Sequence, residues 1–115
     1  MRQVRLDGSS LRHMSSLGFN DVRQGAMMSG RTSEHDVVVI VYWAALRKWF
    51  PRIISSENCV AFVERNLEPL RGIVERKLVA GHSMHRPSGA GRRQAALFVE
   101  VGPIEIARSR RWLLQ

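Results

Sequence analysis

The sequence predicts an α+β domain: a small, mostly antiparallel sheet with a short helix and a long kinked helix packed on one face. Three observations carry this. Between Glu57 and Gly81, Val60, Val63, Leu67, Leu70 and Val74 recur at steps of 3, 4, 3 and 4, the period of a helix with one buried stripe. Asp36 to Tyr42 (DVVVIVY) is continuous and β-branched, as in a strand covered on both faces and so central in its sheet. Gly25 to Arg31 (GAMMSGR) precedes it across the polar stretch Arg31 to Asp36, which predicts a hairpin with a longer loop.

The remaining elements follow in order. Residues 1–23 have no clean period. Val4 and Leu6 alternate with Arg5 and Asp7, a possible short strand closed by Gly8, and Ser9, Ser10, Ser15 and Ser16 read as turn or loose coil. This arm is expected to be the least ordered part of the chain, with the extreme C-terminus. Trp43 to Phe50 (WAALRKWF) reads as a short helix with Ala45, Leu46 and Trp49 on one face, stopped by Pro51. Ser55 or Ser56 caps the long helix, with Glu57 placed against its dipole. Pro69 and Gly72 interrupt that helix. An interior proline removes a hydrogen bond and clashes with the preceding turn, at about 3 kcal/mol. Either the helix kinks or it divides, with Pro69 in the first turn of the second piece. The stripe passes through Pro69 in register, which favours the kink. Gly81 is the C-terminal cap. His82 to Arg93 reads as a loop, Gln94 to Val101 as a strand, and Ile104 to Ala107 as a short strand beyond it. The organisation expected is an arm over 1–23, a single domain over 24–107 and a basic tail over 108–115.

The 115 residues carry sixteen Arg, two Lys and ten acids, for a net charge of +8. The charge is uneven: residues 1–34 are net +2, residues 35–68 are neutral, and residues 69–115 are net +6. Arginine donates in pairs to phosphate and carboxylate, although a GC-rich genome also favours it whatever the function. The longest apolar run, Val37 to Leu46, is ten residues, short of the roughly 20 that span a bilayer. The N-terminus lacks the apolar core of a secretory signal. Cys59 is the single cysteine, so no internal disulfide forms. A cytoplasmic location, with no membrane role, is expected.

The order hairpin, short helix, long helix, closing strand resembles that of a family of small bacterial proteins called domain of unknown function 1488. The resemblance rests on VVVIVYWAALRKWF, then AFVERNLEPLRGIVERKLVAG, then AALFVEV, and covers about Gly25 to Val101. In that family an "Ala-Leu" helix start follows a strand hairpin. A helix of the form "aromatic, two residues, Asn or His-Arg, apolar" then ends near "Lys, two residues, Gly". Here Tyr42 and Trp43 replace the usual polar turn, and Arg65 and Asn66 reverse the pair. The resemblance implies a fold and brings no catalytic residue with it.

The basic C-terminal third supplies the candidate site. Arg86, Arg92 and Arg93 lie in a Gly/Pro-containing loop, and Arg108, Arg110 and Arg111 lie beside Trp112. Arginines there suit phosphate contact, and the indole suits stacking on a base. None of the standard helical, zinc-finger or RNA-sheet motifs is present. The stretch SGAGRR lacks the Lys-Ser/Thr of a phosphate loop. His82, His85 and Cys59 have metal-ligand chemistry, but a helix of about 24 residues, roughly 36 Å, separates the cysteine from the histidines. Cys59 has no evident general base beside it, and Glu64 and Glu68 among Arg65, Arg71 and Lys77 read as a salt-bridged surface. Trp43, Trp49, Phe50, Phe62, Met27 and Met28 read as core. No catalytic residue, metal or cofactor is expected. The function expected is a non-enzymatic binding module for nucleic acid or another polyanion. The alternative is a homo-oligomeric interaction or structural protein, pairing through an exposed sheet edge at the Gly25 or Ile104 strand.

Overall fold

In the computed structural model, which describes residues 10–86, 96–109 and 112, the β-branched run becomes the middle of a five-stranded sheet. The strands are β1 (Arg12–Asn20), β2 (Gly25–Arg31), β3 (Asp36–Tyr42), β4 (Met84–Arg86) and β5 (Ala96–Val101). Their order is β1-β2-β3-β5-β4. All neighbours are antiparallel except β3 and β5. A parallel neighbour requires a crossover. The chain between β3 and β4 provides it through α1 (Trp43–Trp49), α2 (Ser56–Arg65) and α3 (Leu67–Val79), and α4 (Pro103–Arg108) follows β5. The α+β class, the hairpin and the central position of Asp36–Tyr42 are as the sequence predicts.

Strand alternation assigns the faces. Val37, Val39, Val41, Val99 and Val101 join Ala26 and Met28 in one buried core with Leu46, Val63, Leu70, Val74 and Ile106 of the helices. Ile40 and Phe98 point to the other face and are also buried, at 0% and 2% exposure. A strand covered on both faces has no polar phase, hence its unbroken apolar run.

The long helix divides instead of kinking. α2 ends at Arg65, α3 begins at Leu67, and Asn66 between them has φ −119° and ψ 34°. Pro69 explains the position of the break. It has no N–H for the Arg65 carbonyl, and its ring would collide with that carbonyl in a continuous helix. In the first turn of a new helix the missing donor costs nothing. Asn66 is fully buried and satisfies the broken end: its Nδ2 donates to the Phe62 carbonyl at 2.9 Å, and its own carbonyl accepts from the Leu70 N–H at 3.1 Å. The apolar stripe stays in register because Val63, Leu70 and Val74 still face the sheet. Ser55 caps α2 by accepting from the Asn58 N–H at 3.1 Å. Gly81, at φ +78°, closes α3: its N–H donates to Leu78 O, and His82 N–H donates to Lys77 O. This is a Schellman closure, with the left-handed position taken by glycine.

Three further expectations are corrected. Residues 12–20 of the supposed arm form strand β1. Two bulges, between Arg12 and Ser15 and between Ser16 and Gly18, break its alternation, with His13 at φ 57° and Gly18 at φ 90°. The strand is anchored by fully buried Leu11, whose N–H donates to Glu75 Oε2 at 2.7 Å and whose carbonyl accepts from Arg71 of the same helix at 3.5 Å. The pair Val4 and Leu6 lies outside the described residues. Ile104 to Ala107 is part of a helix, not a strand. Pro103 starts it, and Glu105 Oε1 accepts from the Gly102 N–H at 2.8 Å. Among the described residues, the sheet edges are therefore β1 and β4, and the Gly25 strand is internal. Among the described residues, no helix is long and apolar enough to cross a membrane.

Glu105 ties α4 to α3 as well. Its Oε2 accepts from Lys77 Nζ at 2.7 Å. Burial pushes the Glu105 carboxyl up, but Lys77 and the Gly102 N–H outweigh it and hold the group below its ordinary value. The folded chain therefore binds this proton less readily than the unfolded chain. The stabilisation is complete above the ordinary carboxylate range and is lost as pH falls through the lowered folded value. Glu105→Gln is expected to cost about 1 kcal/mol at pH 7 and to flatten the acid limb of stability, measured by urea unfolding between pH 3 and 7. An unchanged acid limb would rule out this linkage.

Candidate polyanion-binding surface

Of the C-terminal residues expected to form the site, the structure describes three, Arg86, Arg108 and Trp112. Arg86 is the last residue of the edge strand β4. Arg92, Arg93, Arg110 and Arg111 lie outside the described residues. Arg108 ends α4 and is exposed. Trp112, expected to stack on a base, packs against the core. Its ring packs against Phe62 at 5.4 Å and Phe50 at 6.3 Å between centroids, and its Nε1 donates to Ile106 O at 2.9 Å. An indole with a bonded N–H and aromatic neighbours is an anchor. Trp112 is thereby fastened between Phe50 at the end of α1 and Phe62 of α2.

A different indole is open. Trp49, read from its spacing as core, is 46% exposed, while Ala45 and Leu46 on the same short helix are buried. α1 has only two turns, and α4 covers just part of its end. Trp49 Nε1 donates to Pro103 O at 3.0 Å, which fixes the ring against α4. Lys48 Nζ stands 5.7 Å from the Trp49 ring, and the Arg47 guanidinium lies 5.1 Å from the Trp43 ring. Arg52 follows in the turn after α1 and is exposed.

The ion pairs separate these cations from several others. Arg23, Arg31, Arg71 and Lys77 each meet a carboxylate, on Glu100, Asp36, Glu68 and Glu105 respectively. Among the described residues, Arg47, Lys48, Arg52 and Arg108 meet none. The segment Trp43 to Ile54 contains no acid, and the single acid of α4 is Glu105, already engaged by Lys77. Arg47 and Lys48 sit in the last turn of α1, where the helix dipole favours cations. That helix end supplies roughly half a negative charge, less than the two cations beside it. The result is a basic surface with an anchored, half-open aromatic ring at the contact between α1 and α4. Sequence order hides it, since α1 and α4 are more than fifty residues apart.

The opposite sheet face carries a second polar group. Tyr42 Oη donates to Glu100 Oε2 at 2.5 Å, and Arg23 stands 3.9 Å from the same oxygen with its guanidinium 4.7 Å over the Phe98 ring. Burial and the hydrogen bond to Glu100 push the Tyr42 phenol up, so it stays protonated and donating. Glu100 is thus held between a phenol and a guanidinium, as in a structural cross-strand link.

Cys59 is fully buried, and burial pushes its thiol up to about 11 against a weaker opposing hydrogen bond from the Ala26 backbone. A thiol in that state is no nucleophile at neutral pH. Among the described residues, no group of three His, Cys, Asp or Glu side chains is placed to hold a metal ion. Glu68 pairs with Arg71 one turn on, as a salt-bridged surface would. Compared with known proteins, the chain matches no family model, no curated protein and no solved structure.

Proposed function

We propose that the chain is a non-enzymatic, cytoplasmic binding module for nucleic acid or another polyanion. The observation that carries this reading is the group of cations without acidic partners, Arg47, Lys48, Arg52 and Arg108, on or next to the two helices that half-exposed Trp49 links. Phosphates drive binding by releasing condensed counterions from such a surface. The net charge of +8 adds long-range attraction. The likeness to domain of unknown function 1488 is part of this reading only as architecture.

The edges give less support to pairing through the sheet. β1 is broken by two bulges and β4 is three residues long, and bulged or very short edges are poor templates for another strand.

The test is fluorescence anisotropy with labelled oligonucleotides at several salt concentrations. Binding is expected to persist near 150 mM salt, with a log-log slope equivalent to several phosphate contacts. Arg47→Ala with Arg108→Ala is expected to reduce that slope by about 2. Binding confined to very low salt, or a slope the double variant leaves unchanged, would contradict the reading.

A further inference from the structure

The geometry points to single-stranded nucleic acid as the ligand of the α1–α4 surface, with one unpaired base stacked on Trp49; this rests on the polyanion reading above. A uniform basic patch would bind any polyanion by charge alone. This surface has an additional feature that only an unpaired base uses. The Trp49 ring is 46% exposed. Its N–H is committed to Pro103 O at 3.0 Å, which fixes the ring in place. A ring already fixed loses little freedom when a base stacks on it. Bases in a duplex present their faces to each other, whereas a single strand has them free.

The cations are placed for the strand that would carry such a base. Lys48 stands over the ring, 5.7 Å from its centre, and supplies a positive charge beside the stacking position. Arg47, stacked on Trp43 at 5.1 Å, lies one residue before it on α1. Arg108 ends the helix whose first residue holds the indole. Exposed Ile104 sits beside Pro103 on α4, adding apolar surface at the rim. By contrast, Trp43 and Trp112 have their N–H groups bonded to Ile53 O and Ile106 O and are packed against the core. Trp49 is the indole that is both fixed at its N–H and half-exposed, with Lys48 standing over its ring.

The experiment compares three labelled probes: a fifteen-nucleotide oligothymidylate, a duplex of the same length, and heparin. Each is titrated against the wild-type chain and its Trp49→Ala, Trp49→Leu and Trp49→Phe variants. Single-strand affinity is expected to fall about tenfold in the alanine and leucine variants. The phenylalanine variant, which keeps an aromatic face, is expected to stay within about threefold. Heparin affinity is expected to change by less than about twofold in all three, since the cations are untouched. The leucine variant retains apolar packing against α4, so the leucine–phenylalanine comparison stands even if the alanine variant fails to fold. Equal loss of heparin and single-strand binding, or duplex binding as tight as single-strand binding, would overturn the stacking proposal and leave the polyanion reading in place. Failure of the wild-type chain to bind any of the three would overturn both.

Discussion

Leu70→Ala is expected to lower stability by about 3 kcal/mol. Leu70 is fully buried on α3, in the core shared with Val39, Val63 and Val74. Its backbone N–H also forms the first hydrogen bond of the restarted helix, to Asn66 O at 3.1 Å. Alanine keeps that bond and helix propensity, so the loss isolates side-chain packing: the transfer of the removed atoms plus the cavity left beneath the sheet. Urea unfolding is the check. The midpoint should fall while the dependence on denaturant stays the same, because the native surface is unchanged. A loss below about 1 kcal/mol would mean that α3 does not pack on the sheet as described.

Gly25→Val is expected to have a comparable effect, about 3 kcal/mol. A Cβ at Gly25 would stand 2.8 Å from Ile40 Cγ1 and 2.8 Å from the Val41 carbonyl oxygen. The second contact is with backbone. That carbonyl belongs to the strand whose register pairs Gly25 with Tyr42 and Ala26 with Val41, so it cannot retreat without opening the ladder. Valine's β-propensity, worth at most about 1 kcal/mol, does not offset such a clash. Thermal unfolding followed by circular dichroism checks this. A variant as stable as the wild-type chain would show that β2 and β3 do not approach this closely.

The parts of the fold that were readable in the sequence are those with an uninterrupted period. Asp36–Tyr42 declared itself because a strand buried on both faces has no polar positions. Val60 to Val74 declared itself because every third or fourth residue returns to the sheet. β1 was hidden because its two bulges reset the alternation, leaving Leu17 56% exposed among serines. The division at Asn66 was foreshadowed by Pro69. The register of the stripe argued for continuity, however, and register does not report whether the backbone is continuous. Ile104 to Ala107 was ambiguous because four residues hold barely one period of either kind. The candidate surface was partly readable: the basic excess and Arg108 pointed to the C-terminal third. Its other half lies on α1, and no local pattern announces that α4 docks there. The exposure of Trp49 and the packing of Trp112 went unread for the same reason. Exposure of an aromatic ring depends on which distant helix covers it.

Ligand contacts are expected to gather where α4 meets α1. A titration of the isotopically labelled chain with oligothymidylate, followed residue by residue in two-dimensional amide nuclear magnetic resonance spectra, tests it most directly. Shifts are expected to concentrate in residues 44–54 and 103–109, with the Trp49 indole N–H among them and β2 unaffected. Shifts concentrated on the sheet around Arg23, Tyr42 and Glu100, or no shifts at any ratio, would contradict it.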